Sequence, residues 1–265
     1  MRILLTNDDG IEAPGLDVLQ QIASELSDDI WIVAPETDQS GAAHSLTLHE
    51  PLRCRTLKDK IHAVKGTPTD CVIMGIRFLL ADKPPDLVLS GVNRGQNLAD
   101  DVTYSGTVAG AIEGTLLGVP SIALSLATTS DRSGKTRWET PMQLGAGLIQ
   151  RLLKVGWPDG VVLNVNFPDR EPGDVEGLEV TRQGRRDQDL LTIEDRMDTR
   201  GNPYYWLGFE RRRSRPPEGS DLWAVYTGRI SVTPLDLNLT HDDARDELAR
   251  KLADADAAPR PAAKR

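Results

Sequence analysis

The sequence contains little cysteine. Two cysteines, Cys54 and Cys71, occur among 265 residues. Two thiols cannot supply the four ligands of a structural zinc site, and they do not form the cysteine framework of a small secreted domain. We therefore expect a protein of a reducing compartment, the cytoplasm.

The sequence also lacks long hydrophobic runs and an excess of basic residues. No apolar stretch approaches the ~20 residues of a membrane span. A secretory signal segment is not expected, because Asp8 and Asp9 soon interrupt the first apolar run. A formal net charge of −9 disfavours long nucleic acid and anionic membranes as partners. It leaves open a small anionic substrate held through a metal ion.

Strand and helix signals alternate along the first two thirds of the chain. Apolar runs predict buried strands, and Pro14, Pro68 and Pro141 each precede residues with helical spacing. This alternation predicts an α/β fold, a Rossmann-like, mostly parallel sheet with helices on both faces. The predicted strands are residues 3–5, 30–34, 87–89, 121–126 and 161–167.

The pattern changes after Pro168, and three regions follow from that change. Residues 1–168 are predicted to form the Rossmann-like core that binds metal and phosphate. Residues 169–240 are predicted to supply substrate-side loops and a β-arm, within the same structural domain or as an appendage. Residues 241–265 are predicted to be a short charged helix, over 241–252, and a flexible tail.

The β-arm is predicted from two segments rich in aromatic and β-branched residues. Residues 204–209 and 222–232 are interpreted as the two strands of a hairpin. An exposed arm needs something to cover it, so we expect it to pair with another subunit. The basic residues between these segments, Arg211 to Arg213 and Arg215, are interpreted as a solvated loop.

Two adjacent carboxylates follow the first predicted strand. Asp8 and Asp9 come directly after a short apolar run and precede Gly10. Ligands of open α/β sheets bind outside the carboxyl ends of the strands. Without a cation the two carboxylates would repel each other. This pair therefore predicts a metal ion at the edge of the sheet.

Neutral oxygen donors occupy two later loops. Ser40 follows the second predicted strand, and Asn93 and Asn97 follow the third. Carboxylate, hydroxyl and amide oxygens together suit Mg²⁺, Mn²⁺ or Ca²⁺. Taken singly, Ser40 and Asn93 are more typical of turns.

A helix that opens on Ser105, Gly106 and Thr107 predicts a phosphate site. Free backbone N–H groups and two hydroxyls converge there, and the helix dipole favours an anion. The same three residues also fit a simple helix cap, and the two interpretations are compatible. Together with a divalent cation they fit metal-assisted hydrolysis of a phosphate ester.

Five motifs of the chain resemble the stationary-phase survival protein family, SurE. They are ILLTNDDGIEAPGL from residue 3, DQSGAAHSLTL from 38, KGTPTDCV from 65, PDLVLSGVNRGQNLADDVTYSGTVAGAIEG from 85 and RISVTPL from 229. The resemblance implies a metal-dependent 5′/3′-nucleotidase of Rossmann-like fold. It implies one Mg²⁺ or Mn²⁺ per subunit, and homodimers or homotetramers that exchange C-terminal arms.

The resemblance also implies roles for particular residues. Asp8 and Asp9 would be catalytic and would bind the metal, with Ser40 and Asn93 completing the ligands. The implied phosphate contacts are Asn97, Ser105, Gly106 and Thr107. Water is favoured as the nucleophile, and direct attack by Asp8 or Asp9 is the alternative.

Two further functions stay open at this point. One is a broad phosphatase or exopolyphosphatase, and the other is a non-catalytic regulator that binds nucleotide. Arg94, where some relatives carry a small residue, places a cation beside the site and could alter substrate preference. His44 is expected to orient a loop.

Overall fold

The computed structural model of the protein describes residues 1–128, 136–186, 191–209 and 215–257. Eleven strands occur within these ranges. They are β1 (Arg2–Thr6), β2 (Asp29–Pro35), β3 (Arg53–Lys58), β4 (Ile61–Lys65), β5 (Leu87–Arg94), β6 (Ser121–Leu126), β7 (Val161–Phe167), β8 (Leu178–Val180), β9 (Leu191–Met197), β10 (Pro203–Phe209) and β11 (Ile230–Asp236).

Six α-helices lie between or after these strands in the described ranges. They are α1 (Pro14–Ser24), α2 (Pro68–Met74), α3 (Gly106–Leu116), α4 (Glu139–Val155), α5 (Asp221–Tyr226) and α6 (Asp242–Ala257). Among the described residues no helix is long and apolar enough to cross a membrane.

Nine of the described strands form one sheet, in the order β3-β4-β2-β1-β5-β6-β7-β11-β8. The run from β4 to β7 is parallel throughout, while β3 pairs antiparallel with β4 and β11 pairs antiparallel with β7. The predicted α/β fold with a mostly parallel sheet is confirmed. Strands β8 and β11, which follow residue 168, extend this same sheet.

Helices cover both faces of the sheet. In β1, Ile3 and Leu5 pack into a cluster with apolar residues of α1 and α4. Leu4, which points to the opposite face, packs with Val72 of α2. Adjacent residues of a strand point to opposite faces, so an apolar run without alternation indicates burial on both sides.

The prediction of a strand over residues 222–232 is wrong. Residues Asp221–Tyr226 form helix α5, and Ser220 caps it by accepting a hydrogen bond from the backbone N–H of Trp223 at 3.3 Å. Strand β11 then pairs with β7 inside the main sheet. Both elements bury apolar residues, and a short apolar run does not distinguish a buried helix from a strand.

The predicted arm exists, but its second strand comes from a different part of the chain. Strand β10 contains the predicted segment 204–209 and pairs antiparallel with β9. The sequence of β9, LTIEDRM, mixes charged and apolar residues and therefore gives little indication of a strand. We call the pair β9–β10 the arm.

The C-terminal helix is confirmed and extends past its predicted end. Helix α6 spans Asp242–Ala257, against the predicted 241–252. The predicted tail beyond residue 257, and the basic residues Arg211 to Arg213, lie outside the described residues.

Candidate metal and phosphate site

The predicted metal ligands lie at or after the carboxyl ends of three neighbouring strands. Strand β1 pairs in parallel with β2 on one side and β5 on the other. Asp8 and Asp9 follow β1, Ser40 follows β2, and Asn93 is near the end of β5. Parallel strands end at the same edge of a sheet, and this order therefore brings the three loops together.

Helix α3 begins directly against Asp8. The hydroxyl of Thr107 donates a hydrogen bond to Asp8 Oδ1 at 2.5 Å. A Cβ atom on Gly106 would lie 2.7 Å from the Cβ of Asp8 and 2.9 Å from Oδ2. The absence of a side chain at residue 106 is therefore what allows the helix N-terminus to approach the carboxylate.

A tight turn fixes Asp8 and Asp9 at the end of β1. The side chain of Asn7 donates from Nδ2 to the carbonyl oxygen of Gly10 at 2.8 Å. Gly10 has φ +101°, and a Cβ there would come 3.2 Å from the backbone of Thr37. Glycine is favoured at this position because other residues rarely adopt this conformation.

The loop that carries Ser40 approaches Asp8 through its backbone. The N–H of Gln39 donates to the carbonyl oxygen of Asp8 at 2.8 Å. The hydroxyl and the N–H of Ser40 both donate to Asp38 Oδ1, at 2.6 and 2.7 Å. Asp38 is thus a third carboxylate near the pair, one that is not among the predicted site residues.

Arg94, which follows Asn93 at the end of β5, reaches the other side of the pair. The backbone N–H of Arg94 donates to the carboxylate of Asp9, and its guanidinium is close enough to lower the pKa of that carboxyl. The side-chain nitrogen of Asn93 donates to the carbonyl oxygen of Gly95 at 2.9 Å. That bond does not use the amide oxygen, which is the atom a hard cation prefers.

Burial makes both carboxyl groups unusually weak acids. It raises the pKa of Asp8 to about 6, and the nearby charges of Asp9 and Asp38 add to the effect. The hydrogen bond from Thr107 opposes this shift. Burial, with the charge of Asp38, also raises the pKa of Asp9. The negative charge of Asp8 and Asp9 is therefore only partly compensated, and the charge of Asp38 is near enough to act on both carboxyl groups.

This donor set fits a hard divalent cation. A divalent cation would neutralise the uncompensated negative charge at Asp8 and Asp9. Among the described residues, no group of three or more His, Cys, Asp and Glu side chains could hold a metal ion. A cation here would use two carboxylates together with neutral oxygens such as those of Ser40 and Asn93. Mg²⁺ sites in proteins commonly combine one or two carboxylates with water and substrate oxygens.

The two remaining predicted phosphate contacts, Ser105 and Asn97, lie in different parts of the fold. Ser105 caps α3 by accepting the N–H of Val108 at 3.0 Å. The side chain of Asn97 donates to Ser125 Oγ at 2.8 Å, and its backbone is held by Asn164 and Asn166 of β7. Asn97 is thus tied to β6 and β7, and its contact with phosphate stays a prediction.

A cavity of about 810 Å³ opens beside Asp9. Its walls include Glu12, Asp38, Arg94 and Trp138. Pockets for small-molecule ligands have volumes of roughly 300–1,000 Å³. The space next to the acidic pair is therefore large enough for a ligand bigger than phosphate.

Several residues that build the site are not predicted from the sequence. Asp38 gives no distinct signal, because an Asp before a Gly-containing loop is typical of a turn. Asn164 and Asn166 interrupt an apolar strand, and buried amides there require partners. That interruption is the signal that the sequence offers for them.

Comparisons with a family model and with related sequences both indicate the same family. The family model described as Survival protein SurE matches residues 3–189. A relative from Parvibaculum lavamentivorans, named 5′-nucleotidase SurE, is 57% identical over 255 residues, which cover 96% of this chain and 91% of the relative. A relative of the same name from Methylobacterium nodulans is 58% identical over 250 residues, covering 94% and 99%.

A solved structure shares the fold. The crystal structure of the SurE protein from Aquifex aeolicus superimposes with a TM-score of 0.81 at 40% sequence identity. The match covers 93% of this chain and 98% of that one.

Proposed function

The chain belongs to the Survival protein SurE family, and from that premise we propose that it hydrolyses nucleoside 5′- and 3′-monophosphates to nucleoside and phosphate. The proposed enzyme depends on one divalent cation per subunit, Mg²⁺ or Mn²⁺. The name 5′-nucleotidase of the relatives supports the phosphomonoesterase activity. The oxygen donors around Asp8 support the metal dependence.

The observation that carries the proposal is the contact between Asp8 and the start of α3. Thr107 donates to Asp8 at 2.5 Å, and Gly106 lies against the same carboxyl group. The carboxylates that would hold a cation are therefore adjacent to the N–H groups that would hold phosphate. A phosphate there could contact both.

We assign each site residue a role in binding either the cation or the phosphate. Asp8 and Asp9, with oxygens of Ser40 and Asn93, would hold the cation. The backbone of Gly106 and Thr107 and the hydroxyl of Ser105 bind the non-bridging phosphate oxygens, on which charge shifts in the transition state. A bound divalent cation would neutralise phosphate charge and make water a better nucleophile.

The cavity beside Asp9 supports a substrate larger than phosphate. The wall of this cavity includes Asp9 and Asp38, so the cavity adjoins the proposed cation and phosphate site. We therefore assign the nucleoside part of the substrate to it. Its volume of about 810 Å³ accommodates a nucleoside.

Phosphate release from a panel of substrates tests the proposal. We expect release from 5′- and 3′-monophosphates in Mn²⁺ or Mg²⁺, and none in EDTA. A flat profile that includes sugar phosphates would instead indicate a broad phosphatase. Nucleotide binding with no release in either ion would indicate a non-catalytic regulator. Rapid quench with labelled substrate separates attack by water from attack by Asp8 or Asp9, because the latter forms a phosphoenzyme.

Arg94 favours one alternative substrate class, short polyphosphate. Its exposed side chain lies beside Asp9 and lines the cavity, where it offers a cation to a longer anion. If the enzyme acts on polyphosphate, Arg94→Ala will lower kcat/KM for polyphosphate more than for a nucleoside monophosphate. An equal reduction for both would leave Arg94 without a role in selection.

We also propose that the protein forms a homodimer or homotetramer by exchanging its arms. Large apolar side chains of the arm are exposed in the single chain. Leu207, 69% exposed, lies opposite Ile193, 67% exposed, on one face of the hairpin, and Trp206, 59% exposed, lies on the other face. A contiguous exposed apolar patch usually marks an interface. The cytoplasm is the proposed compartment, which the free thiols of Cys54 and Cys71 support.

A further inference from the structure

Asp70 and Glu113 are two of the buried carboxylates that lie outside the site described above. Asp70, on α2, is 3% exposed, and Glu113, on α3, is 9% exposed. A buried carboxylate is costly unless it is hydrogen-bonded or paired. Both residues find partners in the same segment, residues 36–52, which contains Ser40 and connects β2 to β3. We call this segment the Ser40 loop.

Asp70 holds the Ser40 loop at Thr47. The hydroxyl of Thr47 donates to Asp70 Oδ2 at 2.6 Å, and its N–H donates to Oδ1 at 3.1 Å. Thr67, the residue that caps α2, donates from its hydroxyl to the carbonyl oxygen of Ser45 at 2.8 Å. The start of α2 therefore fixes the loop at two nearby points.

Glu113 holds the Ser40 loop at His44. Nε2 of His44 lies 2.9 Å from Glu113 Oε2. Glu113 is on the same helix as Thr107, which donates to Asp8. One rigid element therefore contacts both the carboxylate at the end of β1 and the loop that carries Ser40.

Around Ser40 itself, the loop is joined to the rest of the site by the hydrogen bond from the N–H of Gln39 to Asp8, while Ser40 donates only to Asp38 of the same loop. The loop contains no helix or strand, and Ser40 is exposed. Gly41 has φ +80°, and a Cβ atom added to it would have nothing within 4 Å, so the turn beside Ser40 is loosely packed. Ordering a free loop costs about 1–2 kcal/mol per residue in backbone entropy. Contacts that restrict the loop before a cation binds reduce the ordering cost of binding.

We propose that Asp70 and Glu113 are positioning residues that hold Ser40 ready for the divalent cation, so that cation affinity depends on two carboxylates that do not touch it. The inference rests on the proposed metal site. It predicts that Glu113 and His44 affect the affinity for the cation, whereas the reaction of the bound substrate depends on the residues around Asp8.

Calorimetric titration with Mn²⁺ tests the inference directly. Glu113→Ala and Thr47→Val each remove one anchor, and we expect each to raise the Mn²⁺ dissociation constant about five- to tenfold, the effect of one or two hydrogen bonds. Glu113→Gln can still accept a hydrogen bond from His44 and should bind Mn²⁺ within about twofold of the unaltered protein. In phosphate-release assays, saturating Mn²⁺ should restore kcat in all three variants.

A matched pair of histidine substitutions separates the anchor from a general effect on the loop. His44 and His49 both lie in the Ser40 loop and both are exposed, but His44 is paired with Glu113, whereas His49 makes no hydrogen bond or ion pair within the described residues. His44→Ala should weaken Mn²⁺ binding and increase hydrogen exchange of residues 38–47. His49→Ala should change neither. Thermal melts of the metal-free variants show whether each is folded.

Three results have distinct meanings. Unchanged Mn²⁺ affinity and exchange in folded Glu113→Ala and Thr47→Val would overturn the inference alone. Tight Mn²⁺ binding by the unaltered protein, without phosphate release, would overturn the proposed function and leave the inference standing if the variants bind more weakly. Absence of Mn²⁺ binding by the unaltered protein would overturn both.

Discussion

Asp8 is a buried carboxyl group whose neighbours are also acids. It is 5% exposed, and burial, Asp9 and Asp38 together raise its pKa to about 6. Unfolding would return the group to water and to its usual pKa of 3.8. The ionised group therefore opposes folding of the metal-free protein. Strongly shifted carboxyl groups of this kind cluster at functional sites, where the charge has a use.

This gives a prediction for Asp8→Asn. The amide can still accept the hydrogen bond from Thr107 but carries no charge, so we expect the variant to lose Mn²⁺ binding and phosphate release while staying folded. Without metal it should be more stable than the unaltered protein, by up to about 3 kcal/mol above pH 6. Urea unfolding with EDTA measures this difference.

The pH dependence has a definite sign. Because the folded pKa of Asp8 is raised, the stability gained by Asp8→Asn should vanish below about pH 4, grow between about pH 4 and pH 6, and stay constant above that. Equal stability of the two proteins at pH 8 would contradict the assigned burial. An active Asp8→Asn variant would contradict the metal-ligand assignment.

Asp29 should respond in the opposite direction. Hydrogen bonds from Lys60 and Arg2 hold the pKa of this carboxyl well below its usual range. Its contribution to stability is therefore present at neutral pH and is lost as pH falls through the acid range. Asp29→Asn should lower the melting temperature at pH 7, with little difference from the unaltered protein at low pH.

At the scale of elements, α3 is the helix on which the site depends. It opens against Asp8, holds His44 through Glu113, and packs closely on the sheet where Gly110 and Gly114 face β5 and its neighbours. Helix α4 carries Gly147, where an added Cβ atom would meet nothing within 4 Å. An alanine should therefore be tolerated at residue 147 of α4 but should disturb the site when it replaces Gly106 of α3.

Gly106→Ala and Gly147→Ala test this contrast. A methyl group at residue 106 would lie 2.7 Å from the Cβ of Asp8, so we expect displaced site residues, weaker Mn²⁺ binding and lower kcat/KM. At residue 147 the same change should stabilise the protein by about 0.5–1 kcal/mol, the difference in helix propensity. Normal kinetics in Gly106→Ala would argue against close approach of α3 to Asp8.

Asp221 links the start of α5 to two distant segments. Its carboxylate accepts the N–H groups of Ala99, Gly184 and Leu222 at 2.8, 2.9 and 2.7 Å. Asp221→Ala leaves these donors buried and unpaired, and we expect the free energy of unfolding to fall by roughly 2–4 kcal/mol. Urea unfolding at pH 7 measures it, and a change below about 0.5 kcal/mol would show that water replaces the carboxylate.

At the scale of the whole molecule, the arm is the part that a single chain leaves uncovered. Both of its strands are paired only with each other within the described residues. An isolated two-stranded hairpin is at best marginally stable in water. A second subunit that covers it would explain the apolar side chains on its surface.

We expect Trp206→Ser with Leu207→Ser to dissociate the oligomer. Light scattering after size exclusion measures the mass, and Val155→Ser, at a residue of α4 that is 85% exposed, is the matched control. Deleting residues 200–240 would not be a clean test, because β11 lies within that range and pairs with β7 in the main sheet. An unchanged mass of the double variant would count against arm exchange.

How far the sequence predicts this protein depends on how local each feature is. The strand at residues 161–167 and the helix that begins at Pro68 are confirmed, since each follows from neighbours in the chain. The predicted partner of β10 is wrong, because apolar residues at 222–232 offer a plausible alternative to the charged strand β9.

The sequence by itself determined the alternation of buried strands and helices, and the position of Asp8 and Asp9 after the first strand. These features depend on residue order and side-chain periodicity, which act over a few residues. Only the tertiary structure decided that Thr107 contacts Asp8, that Asp38 joins the acidic pair, and that Glu113 holds the Ser40 loop. Those contacts join residues far apart in the chain, and they exist because parallel strands end at one edge of a shared sheet.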